Sequence, residues 1–324
     1  MPASERGAAL VFVLLIVATL SIIAVQINEQ LRFNVKRLDN QRQNNQAYWY
    51  ALGGEQLAQS LLKQVADDSR TSLAQAWATE DAVFPIDDGL LQGRIVDAQA
   101  CFNLNNLLEV RPPGEPEAAE TAYEKQFVSV LELSGMDRNR ALQLRDRVQD
   151  WLDADLQPHG LYGAEDLEYT DREPAYQAAN TLFASTSELN LLMPLEEDEP
   201  AILERIFCSL PQTDTTININ TLTPEQAPLL VAILAATISP EDAGQLIAQR
   251  PAEGWETVDQ FLADPLLAGK TLPEDYRDKL SVQSRFFHAT IRVLYRDTQF
   301  SLTSVMMLAD NQARVIARRY GEGF

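Results

Sequence analysis

Residues 1–27, MPASERGAALVFVLLIVATLSIIAVQI, decide the fold. Seven mildly polar residues precede an uncharged run of 20 from Ala8 to Ile27, broken late by Gln26. Three readings are open: a cleaved secretory signal, a retained membrane segment, or cleavage ahead of the run that leaves it on the mature chain. A run of that length crosses a bilayer as a helix at about 1.5 Å per residue. A secretory signal has a shorter apolar core and then a small-x-small site before a turn. Here no break follows. Residues 27–68 continue as INEQLRFNVKRLDNQRQNNQAYWYALGGEQLAQSLLKQVADD, with no proline between Pro2 and Pro85. Apolar residues recur at Ile27, Leu31, Val35 and Leu38, then at Tyr48, Leu52, Leu61 and Val65, which keeps one stripe along a helix. Gly53-Gly54 is the weak point of that pattern. The spacing predicts one helix running from a membrane into a globular head. Charge hardly orients it, since Arg6 faces Lys36, Arg37 and Arg42 across the span.

The 324 residues have room for two or three packed units. They carry 26 basic and 47 acidic side chains, a net charge of −21. Through Arg42 the count is five basic to three acidic, so the remainder holds all the excess negative charge. Such a surface repels phosphate backbones and anionic lipid, and it attracts cations or basic partners; the plainer reading is a solvated surface that aids solubility. The two cysteines, Cys101 and Cys208, can form one disulfide if the bulk of the chain is exported, or they are two buried thiols. Histidine occurs only at His159 and His288, which counts against zinc sites and histidine-based catalysis. No nucleophile–base arrangement or phosphate loop stands out, so no catalytic residue is assigned and the chain is read as non-enzymatic.

A short leader ending in Arg6-Gly7, followed by an apolar helix that becomes amphipathic, resembles type IV pilins and the pseudopilins of type II secretion. The resemblance implies a leader over residues 1–7, cleavage between Gly7 and Ala8 by a prepilin peptidase on the cytoplasmic side, and methylation of the new N-terminus. It also implies an assembly helix over residues 8–66. Most such proteins carry a glutamate five residues into the mature chain; here that position is Phe12.

From about Pro85 to Asn105 the sequence turns strand-like, and Arg111 to Glu120, RPPGEPEAAE, reads as a linker. About 150 residues with helical periodicity follow. Ser185 with Glu188, Thr257 with Gln260, and Ser239 with Asp242 mark helix starts. Short loops predict a compact all-α unit. Residues 217–262 resemble helix-hairpin-helix modules of DNA-uptake proteins, but the hairpin ATISPED lacks glycine and puts two carboxylates where an anion would sit. No nucleic-acid partner is expected. After residue 279 the period returns to two: RFFHATIRVLY, QFSLTSVMML and QARVIARRY read as three antiparallel strands joined by RDT and ADN. His288 within them reads as a packed or edge residue.

The densest chemical signal is DWLDADLQPHGLYGAEDLEYTDREPAYQAAN, residues 150–180. Asp150, Asp153 and Asp155 close a predicted helix, and Glu165, Asp166, Glu168 and Asp171 follow after a loop with Pro158, Gly160 and Gly163. Seven acidic groups within 22 residues repel one another unless counter-ions intervene, and hard divalent cations such as Ca²⁺ take six to eight oxygen ligands. It is not an EF-hand: the sixth position from Asp153 is Pro158 and the twelfth is Ala164. The alternative is a solvated acidic loop.

RGAALVFVLL, AYWYALGGEQLA, DAQACFNLN, DADLQPHGLYGAEDLEY, PAYQAAN, ININTL and RPAEGWETVDQFLADPLL, in that order along the chain, resemble the minor pseudopilin K family of type II secretion. The resemblance implies an α+β, type IV pilin-like fold, a long N-terminal helix packed on an antiparallel sheet, with a large α-domain inserted between strands. The implied divisions are 67–108 for the first part of the pilin-like domain, 109–278 for the insert and 279–324 for the returning strands. It implies a structural Ca²⁺ held by Asp153, Asp155, Glu165 and Asp166, with Glu168, Asn180 and a carbonyl near Gln157 as further candidates. It also fits a Cys101–Cys208 bridge and tolerates Phe12. The implied role is a filament-tip subunit, single-pass in a bacterial inner membrane with its bulk in the periplasm. The implied partners are I- and J-type minor pseudopilins, then the H type, the major pseudopilin, and secreted substrates or the secretin.

Overall fold

The computed structural model describes residues 5–108 and 120–321, with side chains from residue 9 onward. The first four leader residues and all but Glu120 of the linker lie outside it, and at Gly7 and Ala8 only the helical backbone is described. Helix α1 runs unbroken from Glu5 to Ala66, through Gly53-Gly54. Its buried line is Ala47, Ala51, Gly54, Ala58, Leu62 and Val65, offset from the stripe of large residues. Small residues let the helix axis approach the sheet, so Tyr48, Leu52 and Leu61 flank the contact while the alanines make it. Leu10 to Leu38 present apolar side chains that are half to two-thirds exposed on the single chain, and the most apolar stretch has a mean hydropathy of 2.9.

The sheet that receives α1 consists of β1 (Ala82–Ile86), β2 (Gly89–Asp97), β7 (Phe286–Tyr295), β8 (Thr298–Ala309) and β9 (Gln312–Tyr320), in that order and antiparallel throughout. Between β2 and β7 the chain leaves the sheet and returns. That excursion contains β3 (Phe102–Asn103), α2 (Ala122–Leu133), α3 (Arg138–Leu152), α4 (Asp166–Thr170), α5 (Leu189–Leu192), α6 (Glu199–Ile206), β4 (Phe207–Cys208), β5 (Ile217–Asn218), α7 (Ala227–Ile233), α8 (Pro240–Ala248), α9 (Val258–Leu262), α10 (Glu274–Arg277) and β6 (Leu280–Ser281). It is not purely helical: β3 pairs with β4 and β5 with β6, each in parallel over two residues. Phe102–Asn103, within the strand-like stretch of sequence, therefore belongs to the insert and not to the large sheet.

Alternation explains the sheet. Phe287, Ala289, Ile291 and Val293 are buried toward α1, with Leu302, Met306 and Leu308 beside them and Trp77 edge-on to Phe287 at 5.2 Å. The reversals carry the left-handed residues that two-residue hairpins need, with Asp88 at φ 58°, Arg296 at 51°, and Asp310 and Asn311 at 52° and 56°. A second core fills the insert. Its aromatic centre is Phe102, Phe127 and Phe207, and it extends from Phe102 to Leu280. A disulfide joins Cys101 to Cys208, with Cα atoms 5.9 Å apart. At the junction Asp97 accepts from the hydroxyls of Thr221 and Ser284 at 2.5 Å each and from Asn218 Nδ2 at 3.1 Å. Gln99 Oε1 accepts from the backbone N–H groups of Arg285 and Phe286. Exit and return are thus bonded to each other.

Candidate metal centre

Helix α3 is capped at its start by Asp137, whose carboxylate accepts from Asn139 N and Arg140 N, and at its end by Asp153. On its last turns Asp146 and Asp150, one helical turn apart, face the loop that follows. Asp146 Oδ2 accepts from Leu161 N and Tyr162 N at 3.1 Å each. Asp150 accepts from His159 N at 2.7 Å and Ala164 N at 2.5 Å. The backbone comes this close because Gly160 and Gly163 lack side chains: a Cβ at either would lie 2.4 Å from the Asp146 or the Asp150 carboxylate. Gly160 also sits at φ +60°.

The loop so anchored brings Glu165 back onto the end of α3. One carboxylate oxygen from each of Asp153, Asp155 and Glu165 lies within 4.8 Å of the other two. Glu165 is 8% exposed, and neither of its carboxylate oxygens has a hydrogen-bond partner. Oδ1 of Asp153 and Oδ1 of Asn180 are buried and unpartnered as well. Burial first, then the neighbouring Asp150, Asp153, Asp155 and Asp166, pushes the Glu165 carboxyl up to about 7. Burial raises Asp150 to about 6 despite its backbone donors, and burial followed by Asp155 raises Asp153. Orphaned acceptor oxygens among mutually repelling carboxylates are relieved by protonation or by a cation. Two oxygens bound to one Ca²⁺ at 2.3–2.6 Å stand at most about 5 Å apart, and the spacing of this set is compatible with that limit.

The other candidates are disposed differently. Asp166 starts α4 and accepts from Ala178 N at 2.9 Å and Gln177 Nε2 at 3.3 Å, fastening the segment that leads to Asn180. Asn180 is left-handed at φ 47°. Glu168 turns to Arg147 at 3.2 Å and Arg172 at 3.7 Å, which already supply its counter-charge. Gln157 is exposed, and its N–H donates to Asp155 Oδ1 at 2.7 Å. Sequence reasoning missed the loop-holding role of Asp146 and Asp150. The available signal was a carboxylate pair four residues apart ahead of a proline–glycine loop.

A long helix on an antiparallel sheet, with a helical insert between the second and third strands, defines a pilin-type assembly subunit. Models of one family, described as type II secretion system (T2SS), protein K, match residues 100–212 and 217–283. The type II secretion system protein K of Klebsiella pneumoniae is 38% identical over 98% of this chain and 97% of its own. That of Aeromonas hydrophila is 35% identical over 100% and 99%. The crystal structure of the GspK-GspI-GspJ complex from enterotoxigenic Escherichia coli contains a chain that superposes with a TM-score of 0.78 at 31% identity, over 89% of this chain and 100% of that one. The chain belongs to the type II secretion system protein K family, and it is a minor pseudopilin. The helix-hairpin-helix uptake reading is not favoured by these relatives. The hairpin after α7 turns through Ala235 and Ala236 at φ 52° and 54°.

Proposed function

We propose that this protein caps a pseudopilus rooted in a bacterial inner membrane, with its head in the periplasm. In this reading it starts the filament together with I- and J-type minor pseudopilins, followed by the H type and the major pseudopilin. The observation that carries the proposal is one unbroken helix whose apolar half buries none of its described side chains on the single chain while its other half is packed on the sheet. An apolar surface of that length needs lipid or sister helices. The neighbouring solved complex, which unites K, I and J proteins, supports the choice of partners. Prepilin peptidase would cut between Gly7 and Ala8. Phe12 would suit a subunit with no N-terminus ahead of it to pair with. Mass spectrometry of the mature N-terminus tests the processing route, where a methylated Ala8 is expected and an intact Met1 would sink it. Co-purification of the full-length chain with I- and J-type pseudopilins tests the assembly.

The acidic loop is proposed to hold a structural Ca²⁺ through Asp153, Asp155 and Glu165, with Asn180 and a backbone carbonyl near Gln157 as further oxygen donors. The buried, unpartnered oxygens of Asp153, Glu165 and Asn180 support it. Bound there, the ion supplies the positive charge that the cluster lacks. Calorimetry with Ca²⁺ should give a saturable site, and no heat together with no loss of stability in chelator would remove the assignment.

A further inference from the structure

Charge is segregated within the molecule. Residues 120–278 hold 30 acidic and 10 basic side chains, nearly the whole net charge of the chain. The five strands of the large sheet contain the arginines 94, 292, 314, 318 and 319 and a single acid, Asp97. Asp97 is satisfied by its hydroxyl and amide donors, Arg318 turns inward to Glu55, and Arg314 pairs with Asp310. The remaining three share the face opposite α1. Arg94 stands opposite Thr290, Thr290 opposite Thr303, and Thr303 opposite Arg319. Arg292, two residues from Thr290, stands between Gln92 and Ser301. Because the intervening Ala289, Ile291 and Val293 are buried toward α1, Thr290 and Arg292 look the other way. Arg94, Arg292 and Arg319 are exposed, and none of their side chains makes a hydrogen bond or ion pair among the described residues. Leu90, Leu294 and Val96, on the same face, are 48%, 50% and 37% exposed.

We propose that this outer sheet face is a docking surface for a separate protein with a carboxylate-rich exterior, standing beside the assembly. The proposal rests on α1 being the side by which the subunit packs with its neighbours, which turns the opposite face outward. Arginine forks match carboxylates in pairs, and arginines interleaved with aliphatic side chains compose a protein-binding surface. From Arg94 to Arg319 the row crosses three strand spacings of about 4.8 Å, so it meets several acids at once. The bilayer that roots the helix is out of reach. Sheet contact begins at Gln43, bonded to Thr298 at 3.2 Å, and sixteen helical residues beyond Ile27 rise about 24 Å against a screening length of about 8 Å.

Full-length protein in detergent, titrated at low salt with fluorescent poly-L-glutamate, gives the test. The unmodified chain should bind, and binding should weaken as salt rises. The combined variant Arg94→Glu, Arg292→Glu and Arg319→Glu should bind at least about tenfold more weakly. The same three changed to Gln should shift it in the same direction. Lys63→Glu, Lys125→Glu and Lys270→Glu together alter net charge equally at exposed sites elsewhere, and should stay within about twofold of the unmodified chain. Absence of binding by the unmodified chain, or equal losses in both triple variants, would overturn the proposal. So would a dimer of the unmodified chain that the arginine variant abolishes, because the face would then serve a second copy. The arginine variant should still co-purify with I- and J-type pseudopilins; its failure alone would make the face part of that interface and end the proposal. Failure of the unmodified chain to co-purify would instead fault the assembly reading.

Discussion

Glu165 is a buried carboxylate whose two oxygens accept no hydrogen bond, and its proton is held more tightly in the folded chain than in the unfolded one. A carboxyl with a raised folded pKa stabilises the fold while protonated, and that contribution is lost as pH rises from the ordinary carboxylate range to its folded value. The calcium-free protein should therefore lose stability between about pH 4.5 and the Glu165 value of about 7, with Asp150 acting in the same direction up to about 6. Urea midpoints measured in chelator across that interval should fall, and saturating Ca²⁺ should flatten the trend. A rising midpoint would contradict it. Asp153→Asn should remove the Ca²⁺-dependent gain, which amounts to about 2.7 kcal/mol at a hundredfold excess over Kd. At this scale the sequence was informative about charge density and less so about selection. It marked Asp153, Asp155 and Glu165, which converge. It kept Glu168 as a further candidate, because Arg147, one of the two arginines that neutralise it, reaches it from α3 only through folding, while Arg172 follows four residues later.

Among the elements, α1 shows why adjacent glycines need not be equivalent. A Cβ on Gly53 meets nothing within 4 Å, whereas one on Gly54 would lie 2.9 Å from Ile291 Cγ2 and 3.2 Å from Leu91 Cδ1. Gly53→Ala should raise stability by about 0.5–1 kcal/mol through helix propensity. Gly54→Leu should lower it by about 1–3 kcal/mol through overpacking, and a pair of thermal melts separates the two. On the same helix Glu55 is 3% exposed; burial would raise its carboxyl, but the two-pronged contact with Arg318 and the Ser304 hydroxyl hold it below the usual range. Arg318→Met leaves that carboxylate with only the Ser304 hydroxyl, and because the arginine is partly exposed the change should cost about 1–3 kcal/mol in urea unfolding. Removing the Cys101–Cys208 bridge, which spans 107 residues, should cost at most about 4–5 kcal/mol. The three C-terminal strands were legible because period-two alternation survives folding. The buried line of α1 was not: alanines and a glycine carry weak signals beside Tyr48 and Leu61, and only the sheet opposite reveals which side is used.

For the molecule as a whole, the exposed apolar half of α1 is the dominant surface feature. Phe12, 66% exposed on that helix, should tolerate apolar exchange but not a carboxylate. Phe12→Glu would place an uncompensated acid near the edge of the apolar run, at a cost below the figure of about 2.5–3.5 kcal/mol that insertion scales give for a helix centre, and should reduce recovery of the full-length chain with its pseudopilin partners. Recovery equal to the unmodified chain would argue that the position is indifferent. The order of parts, helix then strands, helical insert and strands again, could be read from changes of period along the chain. The reach of the insert's core back to Phe102 and forward to Leu280 could not, since those contacts are made across the length of the excursion.

The adjoining exit and return of that excursion have a mechanical consequence. Ala98 N donates to Phe286 O at 3.0 Å, and Asn218 and Asp97 tie both ends to Ser284. To the sheet, everything between is a side branch on a continuous β2–β7 ladder. A load carried along α1 would reach the strands through the helix's own packing on them, while the helical unit is attached at that junction and to the segment just after α1, where Asn218 Nδ2 donates to Thr71 O at 3.2 Å.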